Sequence, residues 1–271
     1  MLPLTSDPLV RHCIVNLEDL FDTLVATPEK IGDTCEHYRH LRTPGPEGVW
    51  PNRVYGLVSP PQDTVAIANE IATGMRDRLL PRELCVEQVD DMHRWNEPLE
   101  AAGVTLRWDF PSMALAVENC RHDRAAVCDL NPVITPVRNE DDLREWARLI
   151  ALGWWQGKDV HARLLADLYR PFLQGDSQPS LWLVRAAGAP VATGMLHITG
   201  DVAGVYLVYV DTAFRNRGLG GYVSAQMVRK GEERGCRWAI LQATPEGEPV
   251  YRRLGFEVVF RNRIYWLPAN D

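Results

Sequence analysis

The 271-residue sequence predicts an α/β (α+β) protein of two domains, in which a mixed sheet carries helices on its faces. Three observations carry this expectation. The run Val205-Tyr-Leu-Val-Tyr-Val210 is β-branched, aromatic and apolar at every position, as a central strand buried on both faces requires. A basic, glycine-dense turn follows, and after it Leu219, Val223 and Met227 recur at i, i+4 and i+8, one face of a helix. Elsewhere in both halves short apolar runs alternate with helical patterns, and turn residues separate them.

In the N-terminal half, Leu17 to Leu24 reads as helical and Ile31 to His40 as the continuation of a helical hairpin. The cluster Pro44-Gly-Pro-Glu-Gly48 is a loop, and Asn52 to Val58 a short strand ended by Ser-Pro-Pro. Asp63 is placed to cap a helix through Arg78, with Val65, Ile67, Ala68, Ile71 and Met75 as its apolar face. Leu84 to Val89 reads as a strand, Trp95 to Ala102 as a helix closed by Gly103, and Val104 to Trp108 as a further strand. The polar stretch Cys120 to Pro132 ends in turn chemistry. It separates an N-terminal α/β domain, residues 1–128, from a C-terminal one, residues 129–271.

The C-terminal half opens with a strand at Val133 to Val137. A helix from Asn139 or Glu140 to Leu152 follows, then a second, His161 to Leu173, interrupted by Pro171. Ser180 to Arg185 and Val191 to Ile198 form a hairpin around Ala-Gly-Ala-Pro190. Val202 to Val210 is the central strand, Leu219 to Arg234 the long helix and Trp238 to Ala243 the next strand. Val250 to Leu254 forms a short helix, and Glu257 to Leu267 the last strand.

A central strand, a glycine turn and a helix make an anion site. The first turn of a helix leaves about four N–H groups without internal partners, and the macrodipole places roughly half a positive charge there. Gly218, Gly220 and Gly221 carry no Cβ to keep a phosphate from the backbone, and Arg215 and Arg217 add charge that does not titrate away. Taken alone, the same residues also suit a tight strand–helix connection with solvated arginines. The order Arg-x-x-Gly-x-Gly-Gly is neither the dinucleotide fingerprint nor a nucleotide-triphosphate loop.

Arg215-x-x-Gly218-x-Gly220 after a Val-x-x-x-Phe strand end resembles the acetyl-CoA pyrophosphate loop of the GNAT superfamily of N-acetyltransferases. Downstream, Trp238 to Thr244 and then Tyr251-Arg-Arg-Leu-Gly255-Phe256 are similar to that family's next strand and its Tyr-x-x-Leu-Gly-Phe signature. The resemblance covers Val133 to Leu267. It implies a GNAT-type, mostly antiparallel sheet and an acetyl-CoA donor that leaves as CoA. Arg215, Asn216, Arg217, Gly218, Leu219, Gly220 and Gly221 would hold the pyrophosphate, and the backbone of Val208, Tyr209 and Val210 the pantetheine amides. Thr244 stands where many members carry an asparagine, so a shorter hydroxyl would meet the cofactor arm. Tyr251 matches the family tyrosine beside the thioester sulfur and is the catalytic candidate. A phenol near pKa 10 cannot readily protonate a thiolate near 8.5, a transfer uphill by roughly 2 kcal/mol, so a hydrogen bond to the leaving thiolate is its expected role.

The general base stays open among His197, Glu246, Glu248, Asp211 and a water chain. The N-terminal half echoes the C-terminal one: Leu99-Glu-Ala-Ala-Gly103-Val104 follows a strand as Tyr251 to Phe256 does. It has no counterpart of the phosphate loop, so it reads as a degenerate second copy, with an unrelated α/β domain as the alternative. The function implied is transfer of acetyl to an amine, on a small molecule or a peptide, by a monomer or homodimer. A non-catalytic acyl-CoA-binding or sensor protein, and a relative using another acyl donor, are the alternatives.

Composition narrows the rest. A net charge of −7 argues against nucleic acid as the main partner, and 46% apolar residues can bury a core. No window approaches 18 uninterrupted apolar residues and the first residues show no signal peptide, so a cytoplasmic protein without membrane contact is expected. The six cysteines show no Cys-x-x-Cys spacing and read as reduced thiols. Cys35-Glu-His37-Tyr-Arg-His40 would set two histidines on one helix face, most simply a solvated one, and no metal is expected.

Overall fold

The computed structural model describes residues 7–25, 31–43, 50–58, 61–89, 92–121, 130–174 and 178–268. The chain packs into two compact units, Met1–Ser112 with Val259–Asp271, and Met113–Val258. The expected junction between residues 128 and 129 lies outside the described residues, as does the Pro44–Gly48 loop.

In the first unit, α1 (Pro8–Val25) starts with proline at its first position, and Asp7 Oδ1 accepts from the Leu9 N–H at 2.8 Å. The segment expected to continue as helix is instead a hairpin, β1 (Ile31–Thr34) and β2 (Arg39–Arg42), paired antiparallel from Ile31↔Arg42 to Thr34↔Arg39. Its residues lack an apolar stripe at helical spacing, and the backbone is satisfied by cross-strand bonds; the Cys35 N–H donates to Tyr38 O across the turn at 2.9 Å. Cys35, His37 and His40 therefore do not share a helix face.

Next come β3 (Arg53–Tyr55), α2 (Thr64–Arg76), β4 (Glu83–Gln88), α3 (Asn96–Ala101) and β5 (Thr105–Ala116). Asp63 occupies the cap position of α2 without a side-chain cap bond. β5 runs well past the expected end at Trp108. The last strand of the chain, β11 (Glu257–Trp266), pairs antiparallel with β4 from Arg261↔Gln88 to Trp266↔Glu83. The order β1-β2-β3-β4-β11 is antiparallel except at the parallel β3–β4 contact, Val54↔Leu84.

The second unit contains β6 (Val133–Pro136), α4 (Glu140–Trp155), α5 (Asp159–Tyr169), β7 (Ser180–Ala186), β8 (Ala189–Thr199), β9 (Val202–Val210), α6 (Leu219–Glu232), β10 (Trp238–Gln242) and α7 (Glu248–Leu254). The order β10-β9-β8-β7-β6 is again antiparallel except for one parallel contact, here β9–β10. The expected mixed, mostly antiparallel sheet with helices packed on it is what forms. Asn139 caps α4 by accepting the Asp142 N–H at 2.9 Å. Met113, Leu115 and Val117, at and just beyond the end of β5, enter this unit's core with Leu241, Ala243, Leu254 and Phe256.

Corresponding pieces of the two units are built alike. Gly103 (φ +86°) ends α3 and Gly255 (φ +105°) ends α7. In each cap the glycine N–H donates three residues back and the next N–H five back: Val104 N to Leu99 O at 2.9 Å, Phe256 N to Tyr251 O at 3.0 Å. Among the described residues, no helix is long and apolar enough to cross a membrane.

Candidate active site

The site is built on a discontinuity in β9. Thr193 pairs with Tyr209 and Met195 with Tyr206, so Leu207 and Val208 stand opposite Gly194 alone. This β-bulge puts Leu207 at φ +47°, and the Thr193 hydroxyl donates to Leu207 O at 2.9 Å. On the opposite edge β10 accompanies β9 only as far as Gly204, the partner of Ile240. Past Gly204 the β9–β10 pairing ends, so among the described residues Val208, Tyr209 and Val210 have no partner on β10.

The chain leaves β9 at Asp211, whose carboxylate accepts from the Ala213 N–H at 3.0 Å and fixes the turn. Asn216 (φ +60°) and Gly218 (φ +78°) then bring it round to α6 in left-handed backbone. Gly218 caps α6 without a side chain, so among the described residues no side-chain cap takes up the first-turn N–H groups of Leu219, Gly220 and Gly221. A Cβ added to Gly220 would meet only Val210 Cγ2, at 3.9 Å, so the backbone here faces open space. The helix is anchored from its other faces: Leu219 and Val223 are buried against Val184, Val191, Ala192, Val208 and Val210, and the Tyr222 hydroxyl donates to Pro132 O at 3.2 Å.

Arg215 lies back over the strand end. Its Nε donates to Val210 O at 3.2 Å, and its guanidinium sits 5.6 Å from the Tyr209 ring centroid. Tyr209 is held by α4, where a Cβ at Gly153 would come within 2.5 Å of its ring, and Trp154 lies 6.0 Å away.

Tyr251, on α7, reaches back to α6. Burial pushes its phenol up to about 12, and a hydrogen bond with the Ser224 side chain pulls it down. Ser224 Oγ in turn donates to Gly220 O at 2.8 Å. Tyr251 and the Arg215–Gly221 loop therefore meet at Ser224 on α6. Ser224 has no place in the sequence reading; its signal is its position four residues after Gly220, one turn along α6. Thr244 Oγ1 accepts the Gly247 N–H at 3.2 Å where the chain turns into α7.

The candidate bases are scattered. His197 is 1% exposed on β8, Glu248 is paired with Arg252 at 2.7 Å, Asp211 caps its turn and Glu246 is exposed. Among the described residues no group of three or more histidine, cysteine, aspartate or glutamate side chains is placed to hold a metal ion.

Residues 141–256, from the first turn of α4 to the end of the Tyr251 motif, match the model of the acetyltransferase (GNAT) family. Over 73 residues the chain is 40% identical to a protein of Oryza sativa subsp. japonica described as a probable glucosamine 6-phosphate N-acetyltransferase 2. The match takes in 24% of this chain and 44% of that protein, so this chain spans less than half the length of the relative. A GCN5-related N-acetyltransferase from Kribbella flavida has the same fold, with a TM-score of 0.71 at 18% identity over 98% of both chains. A tandem GNAT protein from the clavulanic acid biosynthesis pathway matches with a TM-score of 0.59 at 15% identity, over 100% of this chain and 99% of its own.

Proposed function

We propose that this chain, whose residues 141–256 form a GNAT acetyltransferase domain, transfers acetyl from acetyl-CoA to an amine. The observation that carries the proposal is the meeting of Gly220 and Tyr251 through Ser224 beside the open edge of β9. The residues suit a CoA pyrophosphate: Gly220 leaves room for it, the uncapped first turn of α6 offers N–H donors, and Arg215 and Arg217 supply positive charge. Bound there, acetyl-CoA would supply an acyl group activated as a thioester, with a thiolate as leaving group.

The chain's own residues position and donate. The unpaired edge of Val208 to Val210 offers backbone amides to an extended arm, with Arg215 moving off Val210 O to free that carbonyl. Tyr251 keeps its proton throughout the neutral range. With the phenol near 12 and a thiol near 8.5, full proton transfer to the leaving thiolate is uphill by about 5 kcal/mol, so Tyr251 acts by donating a hydrogen bond, its hydroxyl turning from Ser224 to the thiolate. Each amine arrives neutral or loses its proton through water or to one of the candidate bases, of which Glu246 is exposed.

The N-terminal unit is read as a degenerate copy of the same fold. From β1 to α3 its order of three strands, a helix, a strand and a helix repeats β7 to α7 of the second unit, with the parallel pair and the glycine cap in the same places. Titration with acetyl-CoA followed by thiol release across an amine panel tests the activity. Glucosamine 6-phosphate belongs on that panel because a relative is described as acting on it. Tight acetyl-CoA binding with no turnover on any amine would favour a non-catalytic acyl-CoA-binding protein.

A further inference from the structure

The first unit contains a buried polar seam that acetyl transfer does not use. At its outer end the Arg39 guanidinium, about one quarter exposed, holds Asp22 and Glu18, and the Tyr55 hydroxyl donates to Asp22 at 2.7 Å. Inward the charges are no longer matched. Glu18 is buried, and while its Oε2 meets Arg39, its Oε1 has no hydrogen-bond partner among the described residues. Glu87 on β4 is 2% exposed; its carboxyl accepts the Cys85 thiol at 3.7 Å, and burial followed by the Glu18 charge raises it to about 7. Directly opposite Glu87 in the β4–β11 ladder stands Asn262, also 2% exposed, whose amide oxygen and nitrogen both lack a partner among the described residues. Residues facing each other across an antiparallel pair share one side of the sheet, so the Asn262 amide and the Glu87 carboxyl project together.

Leaving several polar atoms buried and unpaired is costly, and a seam of this kind adds nothing to folding that apolar side chains would not supply better. Its character indicates what would satisfy it. Asp22, Glu18 and Glu87 face one guanidinium, that of Arg39, while Arg53 is directed to Glu83 at 3.4 Å. The open atoms are a carboxylate oxygen and the oxygen and nitrogen of an amide, so two of the three are acceptors. A multivalent metal would require a larger ligand set than the described residues assemble. An ammonium group carries one charge and several N–H donors. Gly56 (φ +61°) packs closely on this pair, since a Cβ there would lie 3.1 Å from Glu18 Oε1 and 2.8 Å from Arg39 Nη2.

We propose that Glu87, Asn262 and Glu18 form a binding site for an ammonium group, either the free ion or the terminus of a primary amine. This site does not depend on the acetyl-transfer reading. Ionised Glu87 is the form that attracts the cation, so binding strengthens as pH rises through about 7 until the amine itself deprotonates.

The test is thermal unfolding of the whole chain at constant ionic strength, with ammonium, methylammonium, potassium or tetramethylammonium chloride. The expected result is a rise in Tm with ammonium and methylammonium that exceeds the other two and is larger at about pH 8 than at about pH 6. Methylammonium outperforming ammonium assigns the site to an amine terminus, and the reverse to the free ion. Glu87→Gln and Asn262→Leu should each weaken binding about tenfold or more, while Gly220→Glu, which blocks the anion loop, should leave it unchanged. Should Glu87→Gln fail to fold, Asn262→Asp, of the same shape with added charge, should tighten binding several-fold. A Tm response equal to that of tetramethylammonium, an equal response to potassium, or a response surviving in both Glu87→Gln and Asn262→Leu would overturn the assignment.

Discussion

The Tyr251 phenol and the Ser224 hydroxyl meet across the α6–α7 interface, and Ser224 donates onward to Gly220 O at 2.8 Å. The tyrosine proposed to serve the reaction is thereby tied to the backbone proposed to grip the cofactor. Tyr251→Phe should lower kcat about a hundredfold and leave acetyl-CoA affinity within about threefold, because the lost hydrogen bond acts on the developing thiolate. Ser224→Ala should produce a smaller loss in the same direction. Equal losses in turnover and affinity for Tyr251→Phe would reduce the residue to packing.

Gly220→Glu should abolish acetyl-CoA binding while leaving thermal stability nearly unchanged. Its Cβ would meet only Val210 Cγ2 at 3.9 Å, so the fold has room for the side chain, and the carboxylate would repel the pyrophosphate. Calorimetric titration beside a melting curve checks both halves of the statement.

Gly153 is the point where α4 presses on Tyr209. Its added Cβ would lie 2.5 Å from the ring, so Gly153→Ala should cost about 1–3 kcal/mol of stability despite the better helix propensity of alanine. Urea denaturation measures the cost; a stabilised variant would contradict the close approach.

A fragment beginning at Asn131 should fail to unfold cooperatively. It discards Met113, Leu115 and Val117, all buried in the core that contains Leu241 and Phe256. The Val117 N–H also donates to Arg237 O at 3.0 Å. A sharp calorimetric transition near that of the whole chain would show that these residues are dispensable.

Stability should fall as pH rises from about 4.5 to about 7. Burial, with the charge of Glu18 next, raises Glu87 in the folded chain to about 7, so the folded state holds a proton that the unfolded state has released. The contribution is fully present below the unfolded value and lost by the folded one, about 3 kcal/mol in all. Glu18 and Glu83, also raised by burial, act in the same direction. Glu87→Gln should flatten the profile of urea midpoints across this window.

Local pattern made much of the C-terminal half legible. An all-apolar run announced β9, glycines and arginines announced the turn into α6, and Gly255 after Leu254 announced the end of α7. Each of these is a property of a few neighbouring residues. Ile31 to His40 shows where this fails, since residues with no strong stripe form whichever structure their partners complete, and here the partner is the other arm of a hairpin. Thr244 was legible by position, but the N–H it accepts from Gly247, three residues on, depends on the turn.

Periodicity and glycine placement act over one or two turns of chain, so they were enough to establish the alternation of strands and helices and the glycine turn at Arg215 to Gly221. Other features came from folding in three dimensions: Ser224 joins Tyr251 to that turn, Met113 to Val117 complete the second unit's core, and Asn262 is buried opposite Glu87. These are contacts between residues from 27 to 175 positions apart, and strand register and helix packing, not local propensity, bring such residues together.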